Sequence, residues 1–406
     1  MVHGVSLVIA SYFAWLCIRR ITVVVLHITF LEREVVVELR NQQKGGKSDM
    51  IEVPDTVTLA MHIPDNFISP STGALFYVIM IPVWVLCLRY VIRNSTPEKM
   101  AYLGAGAAFS FLIMMFNVPT PGGTTAHGVG GALIALLLGP QYATVAVSVA
   151  LLLQALLFGD GGLITLGANC FNMAFVLPFV AYGLYVLLRK VLPDGWKERV
   201  AEFVSGYIGI TLAAFCVALE LGVQPLLFKA ADGQALYFPF TFNVTIPAML
   251  IPHLAVASVV EGLVTVVVVE FVRRTAPEII EDNARVNFAE TAGADGKQVA
   301  HAGLRKSAWI ALAVVAVLSP IGLLATGDAW GEWGAEDFMS ATGLNYVPQY
   351  IAHGFSWDAL LPDYSLQGLP DIAGYILSAV IGIAVLTIVF RLLALAVSGN
   401  GKTSAR

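Results

Sequence analysis

Charge is scarce in this chain. Asp, Glu, Lys and Arg make up 13% of its 406 residues, against roughly a quarter in ordinary soluble domains. No CxxC pair exists: Cys17, Cys87, Cys170 and Cys216 stand singly in apolar surroundings. They read as small buried hydrophobes, not as a zinc knot or a disulfide framework. Also missing are a G-x-x-x-x-G-K-[ST] loop, a nucleophile elbow and an H-E-x-x-H pair. ATP hydrolysis, serine-hydrolase chemistry and zinc proteolysis therefore have no residues to carry them. No basic patch suggests nucleic acid, and no repeat or low-complexity run appears.

Apolar residues are what the chain has in excess, at 57%. They recur in windows of about twenty residues, the length a helix needs to cross a bilayer. The expected fold is an all-α polytopic membrane protein of about six to seven spans, followed by a two-helix C-terminal module. In the first block the apolar windows are 74–91, 101–116, 142–158, 166–188, 203–221 and 246–272; in the second they are 308–324 and 372–395. A further apolar piece, 130–138, is stopped by Gly139-Pro140. It is too short to cross alone and reads as a half-helix or a tilted, buried one.

Lys and Arg gather at every second connection, 89–99, 189–199 and 273–274, which the positive-inside rule makes cytoplasmic. Counting back puts Met61, His127 and Asp160 on one outer face, provided the short piece counts as a crossing. Residues 275–306 form a polar cytoplasmic linker, and 307–397 the two-helix module with an extracytoplasmic loop, 326–370. Residues 326–369 carry no Lys or Arg but hold Asp328, Glu332, Glu336, Asp337, Asp358 and Asp363. This loop reads as a solvated surface or as a device that raises local cation concentration.

Residues 1–60 do not match the rest of the chain. The apolar run 4–18 is followed by Arg19-Arg20, whereas a signal peptide carries its basic residues first. The stretch is either a poor extra helix or upstream sequence outside the mature protein. The second option is expected, because a chain beginning at Met61 would offer a free amine, the main-chain nitrogen of His62 and the His62 imidazole to one ion. Planar nitrogen ligation of that kind suits Ni²⁺ or Cu²⁺, with Co²⁺ a neighbour, and His127 is the natural fourth donor. Such binding releases protons, so affinity rises with pH. Taken singly, His62 reads as an interfacial loop residue and His127 as a helix-start residue after Thr124-Thr125; it is the two together, on one face and beside glycine-rich turns, that bring in the ion.

Longer blocks carry a resemblance. Met61-His62-Ile63-Pro64-Asp65, His127-Gly128-Val129-Gly130-Gly131-Ala132, Leu138-Gly139-Pro140 and the run from Gln154 through Asp160-Gly161-Gly162 resemble the CbiM/NikM family, as do 166–173, Ile251-Pro252-His253 and Glu261-Gly262. That family comprises the substrate-binding membrane components of cobalt and nickel energy-coupling-factor (ECF) importers. The resemblance covers 61–274 and implies a helical bundle of that type. It further implies capture of Ni²⁺ or Co²⁺ as transported substrate, with no organic cofactor, by Met61, His62 and His127. A transmembrane scaffold subunit and ATPase subunits are the implied partners, in the cytoplasmic membrane of a prokaryote. The C-terminal module, including Pro362-Asp363-Tyr364-Ser365, resembles the small two-helix accessory component of the same systems.

Supporting roles are expected for five residues. Asp160 either orients a ligand histidine or ties its turn. Asn169 and Asn172 share a helical face and fasten a neighbouring helix or line the metal loop. His253 and Glu261 lie within a span, where ionisable groups face the bundle interior. Ala101, Gly104, Ala105 and Ala108 make a flat face suited to close helix contact, a candidate surface for the scaffold. A self-sufficient metal permease is the competing reading. It would need Glu220, Glu261 or Glu270 for ion coupling.

Overall fold

The computed structural model describes residues 62–120, 124–192, 197–275, 279–280, 310, 312–324, 333, 335, 338–366 and 368–400. Met61 and the expectations for residues 1–60 lie outside the described residues, as does nearly all of the 275–306 linker. Among the described residues six helices are long and apolar enough to cross a membrane, so the protein is a multi-pass membrane protein.

Helix α1 is Pro70–Asn94. Ser69 caps it, its side chain accepting from the Thr72 amide, and Pro70 takes the first-turn position where no N–H is needed. Its buried residues, Gly73, Met80, Cys87 and Val91, form one narrow stripe, and the rest of the helix presents apolar side chains outward, as a lipid-facing span should. Thr96 and Pro97 start α2, Pro97–Met114, in the same way. A short antiparallel hairpin then pairs Val118–Thr120 with Thr124–Ala126, the one strand pair among the described residues of a fold expected to be all helical.

The short apolar piece becomes α3, Gly131–Leu138, with seven of its eight residues buried. At 1.5 Å per residue it spans about 12 Å, far less than a bilayer. Residues 127–130 ahead of it, with Gly130 at φ 72°, lengthen the path further. Together they bring the chain to Pro140, where α4 (Pro140–Phe158) begins beside the basic end of α1: the Tyr142 hydroxyl donates to the Asn94 carbonyl, 3.0 Å away. The short piece with its preceding loop therefore links the hairpin to the start of α4. Helices α5 (Leu166–Val191), α6 (Lys197–Leu227) and α7 (Phe242–Thr275) complete the first block.

Three of these helices contain a widened π turn, at Gln154–Phe158, Cys170–Val176 and His253–Ala257. Such turns concentrate at functional sites.

The second block consists of α8 (Leu312–Leu323), two single-turn helices, Phe338–Thr342 and Gln349–His353, and the long α9 (Asp371–Asn400). Helix α9 packs along α2. A Cβ on Gly104 would stand 3.0 Å from the Cβ of Phe390, and the Tyr375 hydroxyl donates to the Met115 carbonyl at 2.7 Å. The expectation for the small-residue face is corrected here. Gly104 and Ala108 are buried and Ala105 half-buried; Gly104 is covered by the chain's own last helix. Ala101 alone of the four stays exposed.

Candidate metal centre

Residues 62–69 form the loop that enters α1, and nearly every polar group in it is pinned. The Ile63 amide donates to Asn169 Oδ1 at 2.8 Å, and its carbonyl accepts from Thr165 Oγ1 at 2.6 Å and Asn169 Nδ2 at 3.0 Å. The Ser69 amide donates to Gln224 Oε1 at 3.0 Å. Asp65 accepts from the amides of Leu163, Ile164 and Thr165 at 2.8–3.2 Å. Its carboxylate thus sits at the start of α5, where the first amides lack helical partners and the helix dipole favours negative charge. A Cβ on Gly162 would run into Asp65, so glycine is required for this approach.

Glu261 of α7 holds the second loop in the same manner. It accepts from the amides of Val129 at 2.8 Å, Gly130 at 2.9 Å and Ala132 at 3.2 Å. These lie at the start of α3, so a second carboxylate, this one buried, fixes a second helix entry. The Ser110 hydroxyl donates to the Val129 carbonyl at 2.7 Å.

Between these clamps the two histidines meet. The rings of His62 and His127 stack with centroids 4.9 Å apart, and the residues are 3% and 5% exposed. His127 Nδ1 lies 3.0 Å from the Gly128 carbonyl, which can only accept, so Nδ1 carries the proton and Nε2 keeps its lone pair. His62 Nδ1 lies 2.6 Å from Asp160 Oδ1. Both Nε2 atoms are buried without a hydrogen-bond partner among the described residues. A buried imidazole nitrogen left without a partner is costly. Burial above all, then the neighbouring His62, pushes His127 down to about 3, so the ring is a neutral base at physiological pH.

Asp160 sits between Gly159 at φ 71° and Gly161 at φ 80°, left-handed positions that glycine alone adopts freely. Its Oδ2 accepts from Gln154 Nε2 at 3.0 Å and from the Tyr364 hydroxyl. Burial works against its charge, but the His62 imidazole and the Tyr364 hydroxyl outweigh it and hold the carboxyl below the ordinary carboxylate range.

The remaining expected residues fall in distinct places. Asn169 grips the metal loop directly, whereas Asn172, one turn on, donates to Glu220 Oε2 at 2.8 Å. His253 Nδ1 lies 2.7 Å from the Met249 carbonyl, and its Nε2 is a third buried imidazole nitrogen without a partner among the described residues. Among those residues no three His, Cys, Asp or Glu side chains converge with metal-holding geometry, so the two imidazoles need donors of another kind. A main-chain chelate at His62 would use Nδ1, since Nε2 cannot reach the residue's own nitrogen. That set requires Asp160 to release Nδ1. Sequence reasoning missed Tyr364, Gln154 and the work done by Asp65. All three stood inside motifs that carry the resemblance, which was the available signal.

The model of the cobalt uptake substrate-specific transmembrane region, CbiM, matches residues 62–279, and that of the PDGLE domain matches 306–399. The chain belongs to the CbiM family. It is 44% identical over 340 residues to the probable fused nickel transport protein LarMN of Lactiplantibacillus plantarum, covering 82% of this chain and 97% of that protein. To the fused nickel transport protein NikMN of Rhodobacter capsulatus it is 40% identical over 344 residues, covering 80% and 95%. The crystal structure of a truncated transition metal transporter superposes with a TM-score of 0.50 at 46% identity, over 53% of this chain and 99% of that one. The CbiM match ends shortly after α7, and the PDGLE match runs from before α8 through the following loop into α9. The stacked histidines, Asp160, Asn169 and Glu261 all fall in the CbiM region, whereas Tyr364 reaches them from the second module.

Proposed function

We propose that this protein captures Ni²⁺ or Co²⁺ on the outer face of the cytoplasmic membrane. It then carries the ion across as the substrate-specific subunit of an ATP-driven ECF importer. The observation that supports this most is the pair of buried, stacked imidazoles, held by loops that the carboxylates of Asp65 and Glu261 clamp. The imidazoles of His62 and His127 are donors to the ion. Met61 completes the set, its amine being available only where a chain begins there. A shared transmembrane scaffold and partner ATPases supply the energy, and the bound ion crosses as this subunit reorients.

The carboxylates favour this reading over a self-sufficient permease, which needs an acid free to exchange ions or protons. Glu261 is committed to three amides, and Glu270 to Arg273, Arg274 and Arg199. Of the three candidates, Glu220 alone keeps an oxygen without a partner among the described residues.

The test is calorimetric titration of Ni²⁺ and Co²⁺ into chelator-stripped full-length protein, alongside His62→Ala and His127→Ala. Uptake into vesicles is then measured with and without the scaffold and ATPases. Binding lost in both variants, and uptake that depends on the ATPases, is expected. Full-strength binding by either variant refutes the site, and uptake without ATPases refutes the energy source.

A further inference from the structure

The second module lays residues 355–361 over the end of the first module that lies opposite the basic loops, and the segment is pinned at both ends. Asn66 accepts from the Phe355 amide at 2.9 Å and donates to the Phe355 carbonyl at 2.7 Å. Asn66 itself holds φ 72°, a left-handed position that Asn enters more readily than most side chains. At the other end the Leu361 amide donates to the Leu157 carbonyl at 2.8 Å, and the Leu361 side chain is buried. Between the pins the apolar side chains turn outward. Phe355 is 43% exposed, Trp357 49% and Leu360 75%. In water this is a poor arrangement, because clustered large apolar side chains form a patch that binding normally covers. We propose that the segment is an interfacial membrane anchor, with Phe355, Trp357 and Leu360 seated in the lipid leaflet on that side.

The level of the segment points to lipid as the partner. Trp357 Nε1 donates to the Leu156 carbonyl at 3.0 Å. Leu156 precedes the end of the α4 span at Phe158 by about 3 Å along the helix axis. The indole is therefore held where the span ends, with its one polar group already satisfied by protein. Leu152, one turn further in along α4, is also exposed, so α4 meets lipid beside the segment. Leu369 and Ile372, at the entry to α9, are exposed at the corresponding level of the second module. Trp is enriched at this depth, where an apolar ring meets the acyl chains and its N–H needs a partner. Charge limits how deep the segment goes. Asp358 is exposed among these apolar residues, so the segment rests in the interface and stays out of the hydrocarbon centre. Residues 355–361 contain no Lys or Arg, so the contact is with the apolar surface of the leaflet and does not depend on anionic headgroups.

The anchor reaches the candidate metal centre through one side chain. Asn66 belongs to the loop 62–69 that carries His62, and its amide group is spent on Phe355. The hold of the bilayer on the segment is thus also a hold on that loop, whichever ion the histidines take.

The experiment places the full chain in phosphatidylcholine nanodiscs and reads Trp357 as the fluorescence difference between wild type and Trp357→Phe. Two quenchers are compared: phosphatidylcholine brominated near the glycerol end of its acyl chains, and iodide in the water. Several-fold stronger quenching of the difference signal by the brominated lipid is expected. Quenching mainly by iodide places the segment in water, and protection from both places it under a second copy or another protein; either result overturns the inference. Hydrogen exchange gives a second reading. Leu360→Asp removes the most exposed of the three apolar groups, and losing the burial of one leucine should speed exchange at the Phe355 and Leu361 amides about tenfold. Exchange at the wild-type rate overturns the anchor. So does an increase shared by the Val129 and Gly130 amides, since an anchor acts on the segment and not on the bundle.

Discussion

Glu261→Ala isolates the clamp on the His127 loop. The side chain is 1% exposed and accepts from three amides, at 2.8, 2.9 and 3.2 Å. Alanine leaves those amides buried with no acceptor, at about 1–3 kcal/mol each. Relaxation of the loop recovers part of the sum, so a net loss of about 3–5 kcal/mol is expected, in the range for breaking a buried charge network. For a domain of this size that corresponds to a fall in melting temperature on the order of ten degrees. Glutamine keeps one carbonyl oxygen and should lose about half as much. The assay is thermal unfolding in detergent with chelator present, so that no bound ion contributes, followed by Ni²⁺ titration of the folded fraction. Stability and affinity should fall together, because the amides that Glu261 holds lie two to five residues after His127. An unfolding temperature equal to wild type would refute the reasoning.

Alanine at His62 or His127 should behave oppositely, abolishing Ni²⁺ binding while leaving chelator-treated stability within a few degrees; calorimetry and the same melting assay check this. Chelator-treated protein should lose stability as pH falls from 6.5 towards about 3. In that window the unfolded chain takes up a proton that the buried His127 ring refuses, a slope of about 1.4 kcal/mol per pH unit. His127→Gln should flatten the melting profile by that one proton, and an unchanged profile would count against a buried neutral ring. Leucine at Gly382 should release α9 from α2, because even a Cβ there runs into the Phe111 ring. Cysteine cross-linking between the two helices would read out the separation, and undiminished cross-linking would contradict the packing.

The spans were legible because bilayer thickness imposes a length and a composition that composition windows detect directly. Alternating basic loops put Met61, His127 and Asp160 on one face, and the structure brings the side chains of His62, His127 and Asp160 together. Less was readable where a polar group is satisfied by backbone far along the chain. Glu261 meets amides more than a hundred residues earlier, and Asp65 meets amides about a hundred residues later. No local spacing encodes such partners. The small residues of α2 showed that a helix would approach closely, since Gly and Ala permit it whatever the partner. That the partner is α9 depends on tertiary contacts such as Phe390 over Gly104, which a pattern of small residues does not specify.

The three widened turns in α4, α5 and α7 set up an asymmetry that deletion scanning would expose. A π turn accommodates one residue more than the α ladder while leaving the flanking helix facing as before. Deleting a residue from ordinary α-helix turns everything beyond it by about 100° and scrambles the buried stripe. Removing one from within Gln154–Phe158 or His253–Ala257 would instead let the ladder close up in phase. The bundle should then keep its packing while the polar residues raised at the bulge lose their aim. Here the scaffold and the site are written into the same helices, yet they can be edited separately.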